Sequence, residues 1–92
     1  MAKYLIERRI PGAGKLTPPE LKAISQQSNG VLSTMSDRVT WLHSYVLDDH
    51  IFCVYESDSV ASIEEHARCL GVPANVISEI HNVISPATAE GA

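Results

Sequence analysis

The sequence feature that most restricts the fold is a pair of β-type runs, residues 39–47 and 50–57, separated by the dipeptide Asp48-Asp49. Both runs are rich in aromatic and β-branched residues, which favour strands, and so short a polar connection predicts an antiparallel hairpin. A segment of helical periodicity and a further β-type run stand on each side of the hairpin. The predicted order of elements is therefore βαββαβ.

This order predicts an α+β protein of the ferredoxin-like class, with a four-stranded antiparallel sheet and both helices on one face. The strands carry apolar or aromatic residues at both parities, as in Trp41 and Tyr45 against Leu42 and Val46. A sheet with two apolar faces needs a cover on each, so we expect a homodimer that packs through the open face. The predicted strands are residues 3–10, 39–47, 50–57 and 75–85, and the predicted helices are residues 18–35 and a segment capped by Asp58 or Ser59 and ended by Gly71.

Size and composition predict one small domain at residues 1–86 and a flexible C-terminal tail at residues 87–92. The net charge of −4 argues against a nucleic-acid or anionic-membrane partner. No apolar run is long enough to span a membrane, and the N-terminus lacks the order of a signal peptide, so we expect a cytoplasmic protein. Cys53 and Cys69 are accordingly predicted to be free thiols.

The stretch RIPGAGKLTPPEL, residues 9–21, has the composition of a phosphate-binding loop without its spacing. The P-loop needs a glycine five places before the Gly-Lys pair and a serine or threonine directly after it. Arg9 and Leu16 occupy those two positions. The glycines instead predict a turn after a strand, and Thr17 with Glu20 predicts a capping box at the start of a helix.

The charge distribution is more informative than the net charge, because no lysine or arginine occurs between Arg38 and Arg68. The same interval offers oxygen, nitrogen and sulfur donors, namely Asp48, Asp49, Glu56, Asp58, Glu64, Glu65, His43, His50, His66 and Cys53. Such a segment would attract a divalent metal or another cation. The alternative is a solvated acidic surface.

The register of the hairpin decides which donors share a face, and the sequence leaves it open. A two-residue turn pairs Ser44 with Cys53 and His43 with Val54, whereas a three-residue loop brings His43 beside Tyr55 and Cys53. A slip of one residue reverses every face assignment.

Two further groups of residues could form a reactive or metal-binding site. On the second helix, His66 has Glu65 adjacent and Cys69 one turn later, a spacing at which His and Cys can reach one ion. Cys53 with His43 or His66 could form a nucleophile and its base, but no strained turn or oxyanion loop accompanies them. A buried Cys53 that acts as a small apolar side chain is the alternative.

The chain resembles a family of small bacterial nickel-binding proteins that was formerly a domain of unknown function. The resemblance rests on KYLIERRIPGAGKL, WLHSYVLDDHIFCVYE, EEHAR and ISPATAE, which together cover nearly the whole chain. It implies a ferredoxin-like homodimer that holds nickel near its surface, for sequestration or storage rather than catalysis. His50 stands where the family commonly has lysine and would add a ligand. The family positions that match are Glu7, His43, Ser44, Tyr45, Cys53, Tyr55 and His66.

We therefore predict a protein that binds nickel or another divalent transition metal. The predicted metal ligands are His43, His50, His66, Asp48, Asp49, Glu65 and Cys53. The alternative is a small dimeric enzyme, similar to monooxygenases or isomerases of this fold, with a pocket between sheet and helices. Residues predicted for such a pocket are Glu7, Ser44, Tyr45 and Tyr55. A third possibility is an interaction module that uses only its open sheet face.

Overall fold

The computed structural model describes residues 1–91, so Ala92 of the predicted tail lies outside the described residues. Four strands and two α-helices follow one another in the predicted order. They are β1 (Ala2–Arg9), α1 (Pro18–Leu32), β2 (Val39–Val46), β3 (His50–Ser57), α2 (Val60–Leu70) and β4 (Val76–Ile80), with 3₁₀ turns at Ala13–Lys15 and Pro86–Glu90.

The sheet has the strand order β2-β3-β1-β4, and all three neighbouring pairs are antiparallel. Each helix thus connects two strands that are separated by a third, which is the split βαβ arrangement. This confirms the predicted α+β class and the four-stranded antiparallel sheet with two helices. The predicted homodimer remains a prediction.

The core lies between the helices and one face of the sheet. Ile6 and Ile63 are fully buried there, and Met35 is 2% exposed. Alternation along β1 directs Tyr4, Ile6 and Arg8 toward this core, and all three are buried. The other face of the sheet carries Leu5 and Glu7 of the same strand.

The hairpin has the register of the two-residue turn. Ser44 is the partner of Cys53 and His43 is the partner of Val54, so the alternative with a three-residue loop is wrong. A bulge between Trp41 and His43 then places Trp41 opposite Tyr55. The extra residue puts Trp41 and Ser44 on the core face together, where the indole Nε1 donates to Oγ of Ser44 over 2.9 Å.

Strand β4 and helix α1 are shorter than predicted by at least three residues, each for a visible reason. Strand β4 ends at Ile80, which pairs with Lys3. Its neighbour β1 begins at Ala2, so almost no strand remains beyond that pair. Helix α1 ends at Leu32, where the hydroxyls of Ser33 and Thr34 donate to the last helical carbonyls and the backbone turns away. Met35 lies in the turn after the helix, and its side chain is still buried in the core, as its apolar spacing predicted.

The glycine-rich segment forms a tight loop that rests on the hairpin turn. The Gly14 amide donates to the Asp48 carbonyl over 3.0 Å, and the Gly12 amide donates to the Asp49 carboxylate over 2.9 Å. A Cβ at position 14 would stand 3.0 Å from Cα of Asp48. The predicted capping box between Thr17 and Glu20 is confirmed.

The end of the described chain projects from the domain. After β4, the side chains of Val83 and Ile84 are 78% and 80% exposed, and a 3₁₀ turn occupies Pro86–Glu90. The flexibility predicted for residues 87–92 stays a prediction. Among the helices of residues 1–91, none has the length and apolar character needed to cross a membrane.

Candidate functional site

The predicted metal ligands are divided among separate places in the fold. Within residues 1–91, no three His, Cys, Asp or Glu side chains stand close enough together to hold one ion. Some of the predicted ligands lie in the core, one is paired on the surface, and the others lie on or beside the open face of the hairpin. Each place has different chemistry.

His66 lies in the core, where its side chain is fully buried. Its Nε2 lies 3.3 Å from Oγ of Ser28, and its ring meets the Tyr55 ring edge-on at 5.4 Å. Burial lowers the pKa of His66 and the positive charge of Arg8 lowers it further, although the contact with Ser28 opposes this. The imidazole is therefore neutral at pH 7, but an ion could reach it only if the core opened. Cys69, one turn away, is exposed.

Cys53 also faces the core, and its sulfur accepts a hydrogen bond from an arginine. Nε of Arg8 donates to Sγ of Cys53 over 3.4 Å, and both side chains are buried. A guanidinium in this position opposes the approach of a metal cation. Because the contact goes to Arg8 rather than to His43 or His66, the arrangement also offers no nucleophile and base pair at Cys53.

Glu65 forms an ion pair on the surface between α2 and the start of β2. Its carboxylate lies 2.6 Å from Nη2 of Arg38, and this hydrogen bond lowers the pKa of Glu65. A metal at Glu65 would have to displace the arginine. The segment between Arg38 and Arg68 thus lacks cations in the sequence but not in the fold, because Arg8, Arg9 and Arg38 all contact it.

The tip of the hairpin holds the remaining carboxylates beside an imidazole. Asp48, Asp49 and His50, with Leu47, line an open concavity of about 350 Å³. The ring of His50 stacks on Phe52 at 6.0 Å, which orients it on the open face of the sheet. The side chains of Asp48 and Asp49 are exposed, and one oxygen of Asp49, Oδ1, already accepts a hydrogen bond from the Gly12 amide.

His43 lies on the same open face, farther along β2. It is exposed, and its ring meets the ring of Tyr45 edge-on at 5.2 Å. Tyr45 is the cross-strand partner of Phe52, so two aromatic rings separate the two histidines on this face. His43 and His50 are therefore two exposed imidazoles on one surface.

A second candidate site is a pocket of about 90 Å³ between the helices and the sheet. Ser44 and Tyr55, two of the residues predicted for a pocket, line it. The other two, Glu7 and Tyr45, lie on the opposite face of the sheet, where Glu7 pairs with Arg9 at 3.2 Å. Apart from its serines, Cys53, Tyr55 and one cation, the pocket lining is apolar.

That cation is Arg8, which was not among the residues predicted for a pocket or a metal site. Its side chain is 3% exposed, and Nη1 donates to the Pro73 carbonyl over 2.7 Å while Nη2 donates to the Tyr55 hydroxyl over 3.3 Å. The available signal was parity, because Arg8 shares the inward positions of β1 with Tyr4 and Ile6. A charged residue on a core-facing parity is unusual enough to mark a site.

Comparisons with known proteins identify relatives for this fold and sequence. A family model described as "Nickel responsive protein SCO4226-like" matches residues 4–80. The crystal structure of SCO4226 from Streptomyces coelicolor A3(2) superposes with a TM-score of 0.73 at 20% identity, over 90% of this chain and 100% of that one. This likeness shows a shared fold. No curated protein matches the chain significantly.

Proposed function

Because this chain belongs to the SCO4226-like family of nickel-responsive proteins, we propose that it binds Ni²⁺ at the tip of its hairpin and thereby sequesters or stores the ion. The observation that carries the proposal is the concavity at the turn, which is lined by Asp48, Asp49 and His50. Within residues 1–91 these side chains do not converge on one point, so a bound ion would have to draw them together. Among the other predicted ligands, Cys53 and Glu65 are engaged by arginine and His66 is enclosed in the core. His43 is exposed farther along the open face.

The donor types at the turn suit a divalent ion of intermediate softness. Imidazole binds nickel, copper and zinc, and carboxylate oxygens and water complete higher coordination numbers. A site with one imidazole and few protein oxygens leaves several positions for water. Copper is then expected to bind at least as tightly as nickel in solution, so selectivity would depend on which ion the cell supplies.

A second copy of the chain could supply further ligands. The open face is apolar in part, with Val76 44% exposed and Tyr45 57% exposed. If two copies pack through it, His43 of each copy approaches the shared surface and joins the binding of an ion there. The ion would then be bound by the predicted homodimer, with ligands from both exposed imidazoles, His43 and His50.

Calorimetric titration with nickel chloride tests the proposal on the parent protein and on His50→Ala, His43→Ala and His66→Ala. We expect His50→Ala to weaken binding at least about tenfold, since removal of a ligand costs no less than removal of its supporting contacts. His66→Ala should leave the affinity unchanged. His81→Ala is the matched control, because His81 is exposed and lies outside the hairpin.

Two results would contradict the proposal. One is unchanged nickel affinity and stoichiometry in His50→Ala. The other is the absence of nickel, copper and zinc binding by the parent protein, which would remove the metal from its function altogether.

A further inference from the structure

We propose that the pocket between the helices and the sheet binds a small monocarboxylate with a short apolar body, and that Arg8 recognises its carboxylate. This site lies on the core side of the sheet and is independent of the nickel site proposed at the hairpin tip. Its residues come from β1, β2, β3 and both helices. Four observations support the proposal.

The first observation is an uncompensated positive charge. Arg8 is 3% exposed, yet among residues 1–91 no carboxylate lies within ion-pair distance of its guanidinium. Buried charges in proteins are normally paired, because an isolated ion in a poorly polarisable interior is costly. An anion in the pocket would supply the missing partner.

The second observation is unused hydrogen-bonding capacity. The three acceptors around Arg8 are the thiol of Cys53, the hydroxyl of Tyr55 and the carbonyl of Pro73. Burial raises the pKa of the Tyr55 hydroxyl, which keeps that group neutral. A guanidinium has more N–H groups than these three contacts use, and its planar fork matches the two oxygens of a carboxylate.

The third observation is the composition of the walls, which fixes the class of anion. Leu21 and Ile24 of α1 face Val46 and Ile51 of the sheet across the pocket, and Ser25, Ser28 and Ser44 supply hydroxyls. One guanidinium balances a single negative charge. A phosphate would bring more charge and more acceptors than this lining satisfies, whereas a carboxylate on an apolar body suits both parts of it.

The fourth observation is the volume of about 90 Å³. A cavity of about 150 Å³ accommodates benzene, so this pocket suits a body of about four carbons. Butyrate is therefore the probe, and butyramide is its neutral counterpart of nearly the same shape. The two differ mainly in the charge that Arg8 would recognise.

The test is an NMR titration of the parent protein with butyrate and, separately, with butyramide. Butyrate should shift the Arg8 Nε–H resonance and the amides that line the pocket, and butyramide should bind at least about tenfold more weakly. Arg8→Gln should reduce butyrate binding by a similar factor. Arg9→Gln is the matched control, because it removes the same charge from the next residue on the opposite face of β1 and should leave binding unchanged.

A pocket-filling variant keeps the test decisive if Arg8→Gln does not fold. Ser25→Phe retains the guanidinium but adds a large side chain at the wall of the pocket, and it should abolish the butyrate shifts. Equal binding of butyrate and butyramide would overturn the proposal, as would an equal loss in Arg8→Gln and Arg9→Gln. No saturable shift with butyrate in the parent protein would overturn it as well.

Discussion

Nε2 of His66 on α2 lies 3.3 Å from Oγ of Ser28 on α1, so one buried hydrogen bond joins the two helices across the core. The other ring nitrogen, Nδ1, has no hydrogen-bond partner within residues 1–91. Burial and, next to it, the positive charge of Arg8 lower the pKa of His66, which keeps the imidazole neutral at pH 7. Protonation of this ring would place a second positive charge near Arg8.

The burial of His66 predicts a loss of stability in mild acid. Its pKa is lower in the folded protein than in the unfolded chain, so below about pH 6.5 the unfolded chain binds more protons. The free energy of unfolding should therefore fall as the pH drops below that value toward the folded pKa, by at most about 1.4 kcal/mol per pH unit from this one group. Above pH 6.5 the contribution is fully present. Urea titrations of the metal-free protein between pH 7.5 and 5 measure it.

His66→Gln should flatten this slope, while His81→Gln, which changes an exposed histidine, should leave it unchanged. The explanation fails if both variants retain the slope of the parent protein.

The packing of α2 predicts unequal costs for two aliphatic truncations on the same helix. Ile63 is fully buried, whereas Val60 at the start of the helix is 42% exposed. Ile63→Ala should reduce the free energy of unfolding by about 2–5 kcal/mol, because it removes buried surface and leaves a cavity. Val60→Ala should cost under about 1 kcal/mol. Chemical denaturation of both variants is the measurement, and similar losses in the two would contradict this packing.

The open sheet face predicts an association that one charge can break. Val76 on β4 is 44% exposed and borders a concavity of about 120 Å³ with Leu5 and Phe52. Val76→Asp should convert the expected homodimer to a monomer, because it buries an unpaired carboxylate at the interface. Val60→Asp introduces the same charge at a valine of nearly equal exposure on a helix. Multi-angle light scattering at micromolar concentration should find this control dimeric, and a monomeric parent protein would refute the prediction.

Much of the fold could be predicted from the sequence because its signals are local. The capping box at Thr17, the glycine that ends α2 and the short turn of the hairpin each act within a few residues. The end of β4 was predicted too late for the opposite reason. Residues beyond Ile80 have strand-forming character, but a strand needs a neighbour, and only Ala2 of β1 remains beyond Lys3.

The candidate site was harder to predict, because side-chain partners depend on pairings between distant strands. Cys53 and Glu65 lie within a stretch of sequence free of cations, yet Arg8 and Arg38 reach them across 45 and 27 positions of sequence. Nothing near Arg8 in the sequence indicates that its side chain contacts Cys53 on β3. Its inward parity on β1 was the one usable signal.

Glycine at position 14 lets the loop after β1 lie directly against the backbone of Asp48. The backbone of the hairpin tip is thereby supported by the loop, and it would have less freedom to lose if the proposed ion binds there. Preorganisation of this kind raises affinity because less chain entropy is spent on binding. Natural variation at this position could therefore tune metal uptake through a residue that has no donor atom in its side chain, while every ligand stays the same.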